Sequence, residues 1–313
     1  GDGLTSLQYR KEIGSDTEEV TSSDTSPNVI QLERKGDTYI MSTAKFGEEF
    51  TSVELDSVQL DNEVYVGLYV CSHNPEVLER AIYRNVRIIR PVDPDYTPYR
   101  DYLGSNLEIM DVETGLRKII YRSAHSIQAP NWTLDGKLIY NSKGHLYNYD
   151  LASNSIAPLN TGFAVNNNND HVLTFDGKLL GISNHDQENE GASTLYYLPS
   201  EGDSLPRRVT KPGVGASYFH GWSPDNKKMV FTGNRDGAYN IITVDVDSGM
   251  EEKLTDMTTL DDGPEYSADG KYIFFNSART GKMQLWRMDA DGKNQTQLTF
   301  DDYNDWFPHI SPD

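Results

Sequence analysis

The sequence predicts an all-β protein, and three observations lead to this prediction. A short motif ending in Asp-Gly-Lys, or a close variant of it, recurs about every 44 residues through the C-terminal two thirds of the chain. Each of the first four copies contains a dipeptide that suits the tight turn of an antiparallel hairpin. Elsewhere, short runs of β-branched and aromatic residues alternate with turn-forming residues, as in strands joined by loops.

The composition restricts the class of protein. Of 313 residues, 36% are hydrophobic and 11% aromatic, which is enough for a packed core, and the formal net charge is -20. A surface this negative repels nucleic acid, so we expect no nucleic-acid partner. No apolar run approaches the ~20 residues of a membrane-spanning helix, so we expect no transmembrane segment in this chain. Cys71 is the only cysteine, which excludes a disulfide framework, and its place in a predicted strand suggests burial.

The recurring motif is defined by its aspartate, which we call the anchor. The anchors are Asp135, Asp176, Asp225, Asp269 and Asp313, separated by 41, 49, 44 and 44 residues. An apolar residue stands three positions before every anchor and four positions after each of the first four. Because Asp-Gly and Asp-Asn accept the positive φ angles of a tight turn, each motif predicts a hairpin.

A second hairpin follows each of the first four motifs. Its first strand is expected at residues 146–150, 195–199, 241–245 and 285–289. Two hairpins place four strands in about 44 residues, which is the size of one β-propeller blade. Such a sheet is apolar on both faces and is stable only when blades stack around an axis. The sequence therefore predicts a propeller over residues 103–313 with four complete blades.

A partial blade precedes them. Residues 107–115 match the second hairpin of a blade but have no first hairpin before them. We expect a split blade whose inner strands come from the far end of the chain and close the ring. The last motif stops at Asp313, so we also expect the natural protein to continue beyond this residue.

Residues 1–91 predict a small β-sandwich. Strands are expected at 4–8, 29–34, 38–42, 52–60, 64–71 and 81–89, with a loop or weak edge strand at 16–27. Residues 92–102 are predicted to be a linker, because the prolines at 91, 94 and 98 cannot sustain a sheet ladder.

Residues 222–227 (WSPDNK) and 266–271 (YSADGK) resemble the WD40-like (PD40) repeats of TolB-type propellers, and the resemblance covers residues 103–313. Asn226 replaces the family glycine, and Leu173 and Ile310 replace an aromatic residue. More narrowly, four stretches resemble TolB-like proteins common in Bacteroidota: 168–173, 220–223, 261–266 and 304–309. Residues 64–74 and 85–88 resemble the end of a concanavalin-like sandwich. The resemblance implies six blades, a sandwich without its first half, and an exported protein that is periplasmic or secreted.

Polar residues concentrate in the loops that lead into the innermost strands. These loops line one mouth of a propeller channel, so side chains from several blades should converge there. His171 and His220 stand five positions before their anchors, whereas Glu265 and His309 stand four before theirs and should start on the opposite face. The candidate ligand-binding residues are Asn169, Asp170, His171, His220, Asp261, Asp262, Glu265, Asn304, Asp305 and His309.

Three roles are open for these residues. They could bind a divalent metal such as Ca, Mn or Zn, with His171, His220 and His309 as ligands. They could form a metal-free site for a saccharide or another ligand. Alternatively, the two histidines could hydrogen-bond the backbone of neighbouring blades while the aspartates cap turns. No cofactor is certain from the sequence.

We expect an exported binding or scaffold protein that engages a carbohydrate or a cell-envelope partner through the channel mouth. Serine-hydrolase, P-loop and zinc-protease motifs are all missing from the sequence, so no known catalytic set supports an enzyme. A first alternative, by analogy with oligogalacturonate lyases, is a metal-assisted enzyme acting on polysaccharides. A second alternative is a purely structural assembly module.

Overall fold

The structure is a computed structural model that describes residues 3–56, 58–72, 74–89, 92, 94–97 and 100–311. It contains two compact units, Gly1–Ile82 and Tyr83–Asp313. The predicted all-β class is confirmed, since the described residues form 23 strands and one 3-10 turn at Gln187–Asn189.

The N-terminal unit contains two small antiparallel sheets. One pairs β1 (Ser6–Tyr9) with β2 (Glu18–Thr21), and the other is a meander of β3 (Val29–Lys35), β4 (Thr38–Ala44) and β5 (Thr51–Leu55). Their shared core consists of Tyr39, Leu55 and Val58, with Leu7, Tyr9 and Val20 packed against them. The stretch at 16–27, predicted to be a loop or a weak edge strand, contains the edge strand β2.

Two strands predicted from the sequence are wrong. Residues 64–71 and 81–89 form no ladder, and Tyr65, Leu68 and Ile88 within them are exposed. An alternating pattern makes a strand only where a neighbouring strand offers backbone partners, and no strand of the described residues pairs with either segment. Cys71 is exposed for the same reason, contrary to its expected burial.

The domain boundaries stay predictions. Sequence patterns place the sandwich at 1–91, the linker at 92–102 and the propeller at 103–313. Pro91 at the end of the predicted sandwich, Pro98 of the linker and the last anchor Asp313 lie outside the described residues.

The C-terminal unit contains one two-stranded sheet and four complete blades. The first sheet pairs β6 (Ser105–Met110) with β7 (Arg117–Ser123). Blade 1 comprises β8 (Gln128–Trp132), β9 (Lys137–Ser142), β10 (His145–Asp150) and β11 (Ser155–Pro158). Blade 2 comprises β12 (Asn167–Leu173), β13 (Leu179–His185), β14 (Ser193–Pro199) and β15 (Arg207–Arg208). Blade 3 comprises β16 (Ser217–Trp222), β17 (Lys228–Asn234), β18 (Tyr239–Asp245) and β19 (Glu251–Lys253). Blade 4 comprises β20 (Asp261–Tyr266), β21 (Tyr272–Ser277), β22 (Gln284–Asp289) and β23 (Thr296–Gln297). Within each blade, every strand pairs with the next one along the chain.

The anchor motif builds the turn between the first two strands of each blade. In blade 3 the Ser223 hydroxyl donates to the Asp225 carboxylate at 2.7 Å and accepts from the N–H of Lys228 at 2.9 Å. Thr133, Thr174 and Ser267 make the same pair of bonds in the other blades. Asn226 has a φ of +61°, so it adopts the left-handed conformation that glycine adopts in the other copies.

Apolar clusters lie between consecutive blades. Between blades 2 and 3, Leu195, Phe219 and Phe231 are fully buried, and Trp222 is 2% exposed. The indole N–H of Trp222 donates to the carbonyl of Val172 in blade 2 at 3.0 Å. The tryptophan therefore both fills the space between the blades and hydrogen-bonds the neighbouring inner strand.

A polar side chain on the second strand of each blade reaches the chain segment that opens the next repeat. These side chains, which we call the inter-blade ties, are Asn141, Ser183, Thr232 and Asn276, six or seven positions after their anchors. Asn141 donates to the carbonyl of Asn167 at 3.1 Å, and Ser183 accepts from the N–H of Phe219 at 2.8 Å. Directional bonds at equivalent positions thus set how each blade sits on its neighbour.

The tie of blade 4 holds the segment that follows the blade. Asn276 donates to the carbonyl of Asp305 at 2.5 Å and accepts from the N–H of Phe307 at 2.6 Å. The segment around residues 305–307 is therefore hydrogen-bonded to the preceding blade, as the inner strands of blades 2 to 4 are. This placement agrees with the fifth copy of the repeat that the sequence shows there.

The sheet of β6 and β7 packs against blade 1. Leu107 is buried with Leu138 and Tyr149, and the Tyr149 hydroxyl donates to the carbonyl of Ile120 at 3.0 Å. Within residues 100–311 no third strand joins this sheet. Closure of the ring by a split blade, and a total of six blades, stay predictions.

Replacing Ser223 by Ala should lower the free energy of unfolding by about 1–2 kcal/mol, because a buried hydroxyl loses both its bonds in the anchor turn. Urea titration followed by tryptophan fluorescence measures the change. The matched control is Ser248→Ala in the outer turn of the same blade, where the hydroxyl donates to Asp245 at 2.6 Å but is exposed. It should cost less than about 0.5 kcal/mol. Equal losses would contradict a special role for the anchor turn.

Candidate functional site

The innermost strands contain β-bulges, and the bulges lie at different positions in equivalent strands. In β12 the register shifts between Asn167 and His171, whereas in β16 it shifts between Phe219 and Gly221. His171 therefore stays in the ladder opposite Ile182, and His220 is the extra, unpaired residue of its bulge. A bulge re-aims the side chains around it. The two histidines, equivalent in the sequence, consequently differ in their surroundings.

His171 is a structural contact between blades 1 and 2. Its ring is 1% exposed and lies between two carbonyl oxygens, with Nδ1 3.0 Å from Asn169 O and Nε2 3.4 Å from Ile139 O. Asn131 in turn donates to the His171 carbonyl at 2.9 Å. Burial lowers the pKa of His171, and the two carbonyls offset this only in part. For this histidine the structure shows the third role considered above, hydrogen bonding to a neighbouring blade.

His220 lies at the centre of a group of ionisable side chains from three blades. Its Nε2 is 3.3 Å from Asp262 Oδ1 of blade 4, and it interacts electrostatically with Asp170 of blade 2. Burial disfavours the charged imidazole, but the bond to Asp262 and the charges of Asp170, Asp262 and Glu265 outweigh it and raise the pKa of His220. The contacts of His220 therefore link the inner strands of blades 2, 3 and 4.

The two aspartates around His220 differ in their surroundings. Asp262 Oδ1 accepts from the Thr232 hydroxyl and from the N–H of Gly263, both at 2.8 Å. Burial alone would raise the pKa of Asp262, but these bonds and His220 lower it. For Asp170, burial is not outweighed by the groups that favour its ionised form. Burial, with the nearby charge of Asp262, therefore raises the pKa of Asp170. The carboxylate of Asp262 is therefore the firm partner of the imidazole.

Glu265 and His309 complete the group. His309 Nδ1 lies 3.0 Å from Glu265 Oε2, and this bond raises the pKa of His309. The ring of Phe307 stacks on His220 with centroids 5.6 Å apart and planes 22° apart. Alternation along a strand predicts that Glu265 and His220 lie on opposite faces. In the structure the register of β20 shifts between Asp262 and Glu265, and the charge of Glu265 contributes to the raised pKa of His220. We call Asp170, His220, Asp262, Glu265 and His309 the mouth cluster.

The remaining predicted residues do not join the mouth cluster. Asp261 is fully buried and pairs with Arg279 at 3.0 Å, whose guanidinium lies 4.6 Å from the ring centre of Trp286. Asn304 accepts from the N–H of Met283, and the N–H of Asp305 donates to the carbonyl of the same residue. The side chain of Asn169 is exposed, and only its carbonyl accepts from His171.

Two residues of the site were missed from the sequence. Thr232 orients Asp262, and its position as an inter-blade tie, seven residues after Asp225, is a signal that could have identified it. Phe307 covers His220, but nothing in the repeat pattern marks an aromatic residue at that position.

The geometry gives no specific support to a metal site. Among the residues that the structure describes, no group of three or more His, Cys, Asp or Glu side chains is arranged to hold a metal ion. His171 is turned away, toward the backbone of blade 1. A metal bound by His171, His220 and His309 stays a prediction from the sequence.

Comparisons with known proteins agree with this architecture of four-stranded blades. A family model described as "TolB beta propeller domain" matches residues 209–313. An uncharacterised protein of Agrobacterium fabrum (strain C58 / ATCC 33970) is 45% identical over 212 residues, which is 67% of this chain and 71% of that protein. A solved structure from Agrobacterium tumefaciens, assigned as TolB, is 44% identical with a TM-score of 0.62 over 66% of this chain and 73% of its own.

A more distant structure shares the fold. TolB from Acinetobacter baumannii is 22% identical with a TM-score of 0.53, over 64% of this chain and 49% of that chain. The molecule is thus a β-propeller protein with repeats of the PD40 type. The chain belongs to the TolB-like β-propeller family. Its assignment to a Bacteroidota group and the concanavalin-like sandwich stay predictions. No helix among the described residues has the length and apolar character needed to span a membrane.

Replacing His171 by Gln should remove a pH dependence of stability. Because the folded pKa of His171 lies below its unfolded value of about 6.5, its contribution is full above that pH and declines as the pH falls toward the folded pKa. The difference in free energy of unfolding between wild type and variant should therefore shrink from pH 8 to pH 5. Urea titrations at four pH values measure it.

The control for this experiment is His145→Gln, which changes an exposed histidine in β10. Its difference from wild type should be less than about 0.5 kcal/mol, because the side chain is exposed. A difference for His171→Gln that does not change with pH would contradict a lowered folded pKa for the buried imidazole.

Proposed function

We propose that this chain is a binding module of the bacterial cell envelope and that the mouth cluster contacts its partner. The observation that carries this proposal is the convergence of Asp170, His220 and Asp262 from the inner strands of three blades. Binding residues on a rigid β-scaffold are typically presented in this way, at one end of the strands. The cluster offers both hydrogen-bond acceptors and donors within a small area.

The envelope location is part of the proposal. Membership of the TolB-like family supports it, because the resemblance implies an exported protein that is periplasmic or secreted.

We favour an envelope protein as the partner. The ring of Phe307 stacks on His220 of the mouth cluster, and the ring of Trp306 lies 5.8 Å from that of Phe307. Aromatic residues are enriched in protein–protein interfaces. Hydrogen-bonding groups beside aromatic rings would also suit a saccharide, so the experiment includes a separate measurement of saccharide binding.

Site-specific photocrosslinking in intact cells tests the proposal. A photoreactive residue replaces exposed Asn169 at the mouth in one variant and exposed Lys178, in the anchor turn at the other end of blade 2, in the control. We expect a discrete protein adduct from position 169 and none from position 178. Adding Asp262→Asn and Glu265→Gln should weaken that adduct at least about tenfold, since charged hydrogen bonds contribute about 1.5–3 kcal/mol each.

Other outcomes would overturn parts of this proposal. An adduct of equal intensity at both positions would show that the mouth is not the contact surface. Glycan-array binding that the double substitution abolishes, without any protein adduct, would identify a saccharide ligand instead. Loss of the adduct on chelator treatment, restored by one divalent ion, would favour the metal-dependent alternative.

A further inference from the structure

We propose that Phe307 is a positioning residue of the mouth cluster, whose ring fixes the imidazole of His220 in the orientation that a partner meets. That Phe307 fixes His220 is a property of the free protein. The importance of this contact for a partner rests on the proposed function.

The backbone ladder does not fix the side chain of His220. In β16 the register passes from Phe219 to Gly221, and His220 is left unpaired in the bulge between them. A bulge re-aims the side chain that it carries, so the imidazole is placed by its side-chain contacts. These include Asp262, 3.3 Å from Nε2, and the stacked ring of Phe307.

Phe307 has an unusual backbone conformation. Its φ is +50°, in the left-handed region that bulky side chains rarely adopt. In blades 1 and 4 the residue six positions before the anchor also has a positive φ, +47° at Ala129 and +59° at Gly263, and both lie in the bulges of their inner strands. Glycine is the residue that suits such a position. Phe307 therefore stands where a smaller residue would be less strained.

The surroundings of Phe307 hold it in this conformation. The Oδ1 atom of Asn276 accepts from its N–H at 2.6 Å. The ring packs directly on Gly263, where a Cβ atom would lie only 2.6 Å from Cδ1 of Phe307. On its other contact the ring stacks on His220, with centroids 5.6 Å apart and planes 22° apart. The protein thus provides a fitted place for this ring, and the absence of a side chain at Gly263 is part of it.

The strain is not explained by packing between the blades. Phe307 belongs to none of the apolar clusters that join the described blades to one another. Strained backbone conformations persist where the surrounding contacts enforce them, and they occur often at binding sites. What the conformation of Phe307 achieves is the placement of an aromatic ring over His220, a side chain that lacks support from its own strand.

The first measurement tests the strain at Phe307. Phe307→Gly and Phe307→Ala both remove the ring, so their comparison isolates the effect of the left-handed φ. The unfolding equilibrium constant from urea titration should be at least about threefold smaller for the glycine variant. The same pair of substitutions at Phe300 is the control, because this residue lies in the same segment without a positive φ, and there glycine should not be the more stable variant. An alanine variant at 307 as stable as the glycine variant would overturn the strain.

The second measurement tests the positioning of His220 in the free protein. The NMR order parameter of the His220 Cδ2–Hδ2 bond should be near about 0.85 in the wild type, as in a rigid group, and below about 0.6 in Phe307→Leu, as in a flexible one. Phe307→Tyr, which restores an aromatic ring, should restore the order. Phe300→Leu is the control, and His171, held between two carbonyls, is the internal reference and should not change in any variant.

Two results of this experiment would refute the positioning role. One is an order parameter that stays unchanged in Phe307→Leu, and the other is a loss that Phe307→Tyr does not reverse. If Phe307→Leu does not fold, Phe307→Met takes its place with the same expected result.

The crosslinking experiment connects this role to a partner. The adduct from position 169 should fall at least about threefold in Phe307→Leu, should recover in Phe307→Tyr and should be unchanged in Phe300→Leu. An adduct of full intensity in Phe307→Leu would leave the proposed function standing and would overturn the use of this contact in binding. If the wild type gives no adduct, the proposed function fails and the role in binding fails with it, while the two measurements on the free protein still decide whether Phe307 fixes His220.

Discussion

Each blade can exist only beside another blade, because its sheet is apolar on both faces. Each blade is a single-layer sheet, and yet its central side chains are fully buried, as are Ile139, Leu180, Phe231 and Phe275. A single blade in water would expose at least one such face, at a cost of about 1.5–3 kcal/mol for every large side chain. Stacking of blades is therefore the condition for every other feature of the unit, including the position of its channel mouth.

Polar bonds then determine how the stacked blades are arranged. Hydrophobic contact is non-directional, whereas the inter-blade ties and the Trp222 indole make bonds of defined geometry to the neighbouring inner strand. Thr232 links this architecture to the site, because its bond to Asp262 both joins blades 3 and 4 and orients a carboxylate of the mouth cluster. The site is thus an extension of the contacts that hold the blades together.

The repeats could be predicted because their signals are local, and the site could be predicted only in part. Asp225 and its neighbours form a turn from residues within a few positions of one another, so the sequence shows it directly. Asp170, His220, Asp262, Glu265 and His309 were all recognised as candidates, but His171 was grouped with them although it faces blade 1. The predicted strands at 64–71 and 81–89 were wrong, because alternating polar and apolar residues do not show whether a neighbouring strand is there to pair with the segment.

By itself the sequence determined the all-β class, the four complete blades, the anchor turns and the collection of polar residues near one mouth. These follow from turn chemistry and periodicity, which act over a few residues. Only the tertiary structure decided which histidine enters the mouth cluster, because the positions of the bulges in β12 and β16 depend on how each strand pairs and packs. A shift of one residue in a strand turns a side chain to the other face, and that shift leaves no mark in the spacing of the motifs.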